Sequence, residues 1–161
     1  MKQAVALFLC VLLVAGISGC AKGSVENTTS ESAAGDSEKV EESMDSITPR
    51  ILIDDKEIPV VWESCAAVSE LASESSEGDI VVDMSMYGGW EQVGSLGRSY
   101  TTDDRQMTAS SGDIVLYDAN KIVLFYGSNS WAYTRLGKID LPEEEVAELL
   151  SHANVTLKIC A

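Results

Sequence analysis

From about residue 49 onward the sequence predicts a mainly β domain, an antiparallel barrel or sandwich with two short helices over its open ends. Three observations lead there. Short runs rich in Val and Ile recur between turn residues, as a pleated half-buried surface requires. Only two segments, far apart, carry helical spacing. No alternating strand–helix–strand series and no internal repeat is visible, which argues against a parallel sheet.

Taken in order, Arg50 to Ile53 and Glu57 to Trp62 read as strands around the polar turn Asp54-Asp55-Lys56. Ser64 is placed to cap a helix whose apolar positions Cys65, Val68, Leu71 and Ala72 recur every three or four residues. Ser75 to Gly78 is expected to end it. Asp79 to Met86 resumes a strand, and Tyr87-Gly88-Gly89 breaks it. Gly94 and Gly97 then punctuate a stretch expected to be loop-rich through Arg105. The clearest hairpin joins Asp113–Tyr117 to Lys121–Tyr126 through Asp118-Ala119-Asn120, with Ser110-Ser111-Gly112 as its entry turn. Pro142 followed by Glu143, Glu144 and Glu145 starts a helix, because acids suit the positive end of the helix dipole. Val146, Leu149 and Leu150 form its apolar stripe, and Val155 to Cys160 closes the chain as a strand.

The front of the chain has a different character. Lys2 precedes an apolar run from Ala4 to Ala15, which is signal-like in length and short of the roughly 20 residues that span a bilayer. Ile17-Ser18-Gly19-Cys20 resembles the lipobox of bacterial lipoproteins. That resemblance implies a signal peptide over residues 1–19 and a lipid on Cys20; an ordinary cleavable signal with a chance cysteine is the plainer alternative. Two or three acyl chains, at about 0.8 kcal/mol per buried CH₂, would hold the chain on the extracytoplasmic face of the bacterial envelope. Residues 20–48 carry no aromatic side chain, and their seven acids outnumber two lysines. Such a segment cannot bury enough surface to offset its ordering entropy and reads as a disordered acidic linker. The folded domain is expected over residues 49–161.

With 26 acidic and 11 basic side chains, nucleic acid is excluded as a partner, since phosphate binding needs clustered Lys and Arg. The membrane, reached through the lipid on Cys20, is the first expected partner, and a peptide or small molecule is the second; the oligomeric state is not readable.

Three segments carry a family resemblance. They are Met86-Tyr-Gly-Gly-Trp-Glu-Gln-Val-Gly-Ser-Leu-Gly97, Ser111-Gly-Asp-Ile-Val-Leu-Tyr117 and Phe125-Tyr-Gly-Ser-Asn-Ser-Trp-Ala-Tyr-Thr-Arg-Leu-Gly-Lys-Ile139. Over about Ile51 to Cys160 the chain resembles the bacterial cyclophilin-like domain family. The resemblance implies a small closed antiparallel β-barrel with two short capping helices, related in fold to the peptidyl-prolyl isomerases. Fold does not carry function with it, and the isomerase pattern of Arg, Phe, Gln, Trp and His has no residue-by-residue counterpart here.

Chemistry must come from few residues. His152 is the only histidine, so no histidine-based triad or multi-histidine metal site can be built. Asp103-Asp104 and Glu143 to Glu145 lack the spacing of a calcium loop and read as solvated faces. No metal, no cofactor and no catalytic residue is assigned. Cys65 and Cys160 could bridge the first helix to the last strand after export, or could be buried free thiols.

Eight of the nine aromatic residues after Cys20 lie between Tyr87 and Tyr133, with Arg98, Arg105 and Arg135 in or just beyond that span. Apolar rings with a few placed donors line ligand clefts, although each ring taken singly is better explained as barrel core. If extended, Trp131, Tyr133 and Arg135 share one face. The candidate groove is therefore Tyr87, Arg98, Arg105, Gln106, Trp131, Tyr133 and Arg135. Two functions fit it: a non-catalytic module that captures a peptide or small molecule, and a prolyl isomerase in which an arginine donates to the prolyl nitrogen. The first is preferred.

Overall fold

The computed structural model describes residues 48–161, so the signal, Cys20 and the linker lie outside the described residues. The strands are β1 (Arg50–Ile53), β2 (Lys56–Ile58), β3 (Val60–Trp62), β4 (Ile80–Tyr87), β5 (Glu91–Ser95), β6 (Arg105–Ala109), β7 (Asp113–Tyr117), β8 (Lys121–Phe125), β9 (Asn129–Ile139) and β10 (Asn154–Cys160). The helices are α1 (Ala66–Glu77) and α2 (Glu143–Leu150). Antiparallel pairing runs β2-β1-β10-β4-β5-β8-β7-β9-β3, and β6 pairs β9 off this path. The fold is a mainly β, nearly closed antiparallel barrel with two helices.

The closure depends on Pro59. The expected second strand is split by this residue, whose missing N–H removes a ladder bond. Its first half, β2, pairs β1, and its second half, β3, pairs the far end of the strand order at β9. One bent segment thus serves both edges, and the Pro59 carbonyl accepts the Asp140 N–H at 2.9 Å. The turn before β2 is tighter than expected: Asp54 and Asp55 alone form it, both at positive φ.

Where the sequence suggests loops, the structure has β5 and β6. Gly94 belongs to the middle of β5, where a Cβ would come 2.4 Å from Val82 Cγ1. It is a close-approach glycine, so β4 and β5 can pair with bulky inward residues on β4. Gly88, at φ +63°, sits in the turn between these strands, and a Cβ there would strike the Trp90 ring at 2.3 Å. Arg105 and Gln106 lie on β6, paired with Tyr133 and Ala132, rather than in a loop.

Helix α1 begins with Cys65 at the capping position and makes no side-chain cap, so Ser64 does not cap it. It ends within the expected Ser75 to Gly78 stretch, at Glu77 with Gly78 after it, and in its last turn the hydroxyls of Ser75 and Ser76 donate to the carbonyls three residues back. Its buried face, including Val68 and Leu71, joins the barrel interior, as do Val146 and Leu150 of α2. Strands β7 and β8 match the expected hairpin to within a residue, and β10 closes the sheet between β1 and β4.

Two apolar clusters result. The larger fills the barrel and includes Ile51, Val82, Leu116, Leu124, Leu136 and Leu157. The smaller, Ala109, Val115, Val123, Phe125 and Tyr133, packs separately from it. It forms because β9 changes partners: residues 134–139 pair within the barrel, while residues 129–133 pair β6. A β-bulge near Leu136 marks the change. Thr134 fixes it, receiving the Asp103 N–H at 2.8 Å and donating to Asp104 Oδ1 at 2.6 Å.

Candidate functional site

Alternation along the strands assembles one cleft of about 490 Å³ beside the smaller cluster. Residues two apart on a strand face the same way, so Glu91 and Val93 come from β5, Lys121 and Val123 from β8, and Asn129, Trp131 and Tyr133 from β9. Tyr117 ends β7 against Tyr133, edge to face at 6.0 Å between ring centroids. Tyr87, at the end of β4, completes the lining. Tyr87 and Trp131 are exposed, Tyr133 is buried, and Tyr133 also meets Phe125 edge to face at 5.7 Å.

The polar groups are few. Asn129 Nδ2 donates to Tyr133 Oη at 3.2 Å. Lys121 Nζ lies 5.5 Å from the Tyr117 centroid and 2.8 Å from Asp118 Oδ2, so its charge is balanced at the rim. Glu91 differs from both. The residue is 5% exposed, its Oε2 has no hydrogen-bond partner, and no cation pairs with it among the described residues. Burial raises its pKa above the ordinary glutamate value. The Tyr133 and Tyr126 hydroxyls are also raised, by burial first and then by the Glu91 charge.

Of the groove residues expected from sequence, Tyr87, Trp131 and Tyr133 meet in this cleft. Gln106 is exposed on β6 and is not among the residues lining it. The arginines are engaged elsewhere. Arg98 pairs with Glu74 at 3.2 Å and Glu70 at 3.8 Å, and stacks over Tyr100, which fastens the segment after β5 to α1. Arg105 pairs with its neighbour Asp103 at 2.7 Å. Arg135 sits near the bulge and reaches Asp113 at 2.7 Å and Glu63 at 3.4 Å. Asp103-Asp104 thus has a structural task, at Thr134 and Arg105.

The sequence reading missed Glu91, and its neighbour shows the signal that was present. In Trp90-Glu91-Gln92-Val93 two polar residues adjoin on a strand, so alternation must send them to opposite faces. Gln92 turns inward, where its Nε2 donates to the carbonyls of Leu150 at 2.8 Å and His152 at 2.6 Å, at the end of α2. Glu91 therefore faces the cleft. Cys65 and Cys160 stand as free thiols, each 3.7 to 3.8 Å from a different backbone carbonyl, those of Arg135 and Arg50.

A nearly closed antiparallel barrel with two helices, carrying an aromatic cleft apart from its main core, defines a small mainly β barrel domain. The model of the Cyclophilin-like family matches residues 51–160, and the chain belongs to that family. Neither the curated proteins nor the solved structures contain a significant match.

Proposed function

We propose that this chain is a membrane-tethered, extracytoplasmic cyclophilin-like domain that binds a peptide or small molecule without catalysing its conversion. The observation that carries the binding role is the cleft itself: four aromatic rings from three strands converge around 490 Å³, within the size of ligand sites. The arginines that an isomerase reading would use are held in ion pairs outside its lining. Placement at the membrane rests on the Ile17 to Cys20 sequence behind the apolar run, and the acidic linker would hold the domain clear of the lipid.

Two experiments test this. In a protease-coupled proline-isomerisation assay the full chain is expected to leave the uncatalysed rate unchanged. Acceleration that disappears in Arg98→Ala, Arg105→Ala or Arg135→Ala would replace the binding role with catalysis. For the anchor, processing in bacterial cells is expected to stop with globomycin, and mass spectrometry is expected to find acyl mass on Cys20. A bare Cys20 thiol in the processed chain refutes the tether.

A further inference from the structure

We infer that the ligand of this cleft is a small organic ammonium ion, held by the Glu91 carboxylate and the faces of the surrounding rings. The inference rests on the binding role proposed above and narrows it.

The first ground is the lining. Tyr87, Tyr117, Trp131 and Tyr133 line one volume, and the faces of such rings attract cations, most strongly where water is excluded. The domain already uses this contact, since the Lys121 ammonium lies over the Tyr117 ring.

The second ground is independent of the rings. Glu91 lines the same volume with an oxygen that nothing in the domain satisfies. A buried carboxylate without a partner costs stability, and a protein can lower that cost by neutralising it with an opposite charge. The sheet does so elsewhere: Asp113, equally buried, has Arg135, Lys138 and the Ser110 backbone and hydroxyl around it. Among the described residues no cation matches Glu91, so its counter-charge has to come from elsewhere.

The remaining charges of the cleft agree. Lys121 is the cation in the lining, and Asp118 balances it, so the ionised Glu91 leaves the site net negative. An anion would meet an unopposed carboxylate; an uncharged ligand can donate a hydrogen bond to it but leaves its charge unbalanced. An ammonium with an apolar body meets both requirements, and three or four methyl groups on nitrogen would spread its charge over several rings.

Three compounds of nearly one shape separate the possibilities: choline, the uncharged 3,3-dimethylbutan-1-ol and the anionic 3,3-dimethylbutanoate. Each is titrated at neutral pH into the full chain in detergent, and the Trp131 indole and tyrosine ring resonances are followed by NMR. Choline is expected to bind at least tenfold more tightly than the alcohol, with the acid weakest. Glu91→Gln, which keeps the shape and removes the charge, should cut choline affinity at least tenfold and leave the alcohol unchanged; Trp131→Ala, at an exposed position, should weaken both. Equal or tighter binding of the alcohol or the acid would overturn the ammonium inference and leave a binding cleft standing. If none of the three shifts the Trp131 resonance, both the inference and the cleft as a small-molecule site fail.

Discussion

Two buried carboxylates on the same sheet have opposite surroundings. Around Asp113, at the start of β7, Arg135 and Lys138 supply charge, and the Ser110 N–H and hydroxyl donate at 2.9 and 3.2 Å. Around Glu91, at the start of β5, there are rings, valines and an oxygen with no partner. The first arrangement locks a turn to the bulged end of β9 and leaves no room for anything else. The second leaves an electrostatic demand open beside a cavity. A charge that the fold has finished satisfying reports on stability, while a charge it has left unsatisfied points toward a partner.

The comparison can be broken by removing each carboxylate in turn. Asp113→Ala strands the Arg135 guanidinium and the Ser110 donors, and is expected to cost about 3 kcal/mol in urea unfolding. A loss below about 1 kcal/mol would mean that the cluster is a surface pairing of little weight.

Glu91→Gln is expected to act in the other direction. The Glu91 pKa is raised in the folded state, so between the ordinary value of about 4.5 and the folded one the native protein holds the proton that the unfolded chain releases. Stability contributed by the protonated form is present at low pH and lost as pH rises through the folded pKa. The glutamine variant should therefore match the native chain near pH 4 and exceed it at neutral pH, by about 1 kcal/mol. Thermal melts across that range check it. Coincident curves at every pH would show that the carboxylate finds compensation in solution, and the contrast with Asp113 would vanish.

The smallest effect serves as a control. Ala119 occupies the hairpin turn at φ +59°, where an L side chain is strained, so Ala119→Gly should relieve the strain and add up to about 1 kcal/mol at all pH values alike. A pH-dependent gain there would show that the titration assigned to Glu91 belongs to something else.

The parts of the fold with one dominant local signal were legible in the sequence. The β7–β8 hairpin carries dense β-branched runs about a polar turn, and α2 announces itself with proline and three acids. Strand β5 was not, because its Gly94 looks identical to a turn glycine until β4 is seen beside it. Nor was β6, whose mixed polar sequence becomes a strand only because the first half of β9 leaves the barrel to pair with it. For the site, alternation joined Trp131 to Tyr133 correctly, but the pairing of Arg135 with Glu63 and Asp113 depends on neighbours that only the fold brings near. Glu91 could have been singled out: adjacent Glu and Gln on a strand must part company, and one of them has to be accommodated away from the core.

Pro59 has a bearing on how the domain behaves in company. Because the first and last members of the strand order are consecutive pieces of one chain, the seam between β2 and β3 is closed by a single link, while β6, paired to β9 alone, keeps an open edge. A circular permutant with new termini at residues 59 and 60 would keep every side chain yet free that seam, and association through exposed backbone should then appear at concentrations where the parent chain stays dispersed.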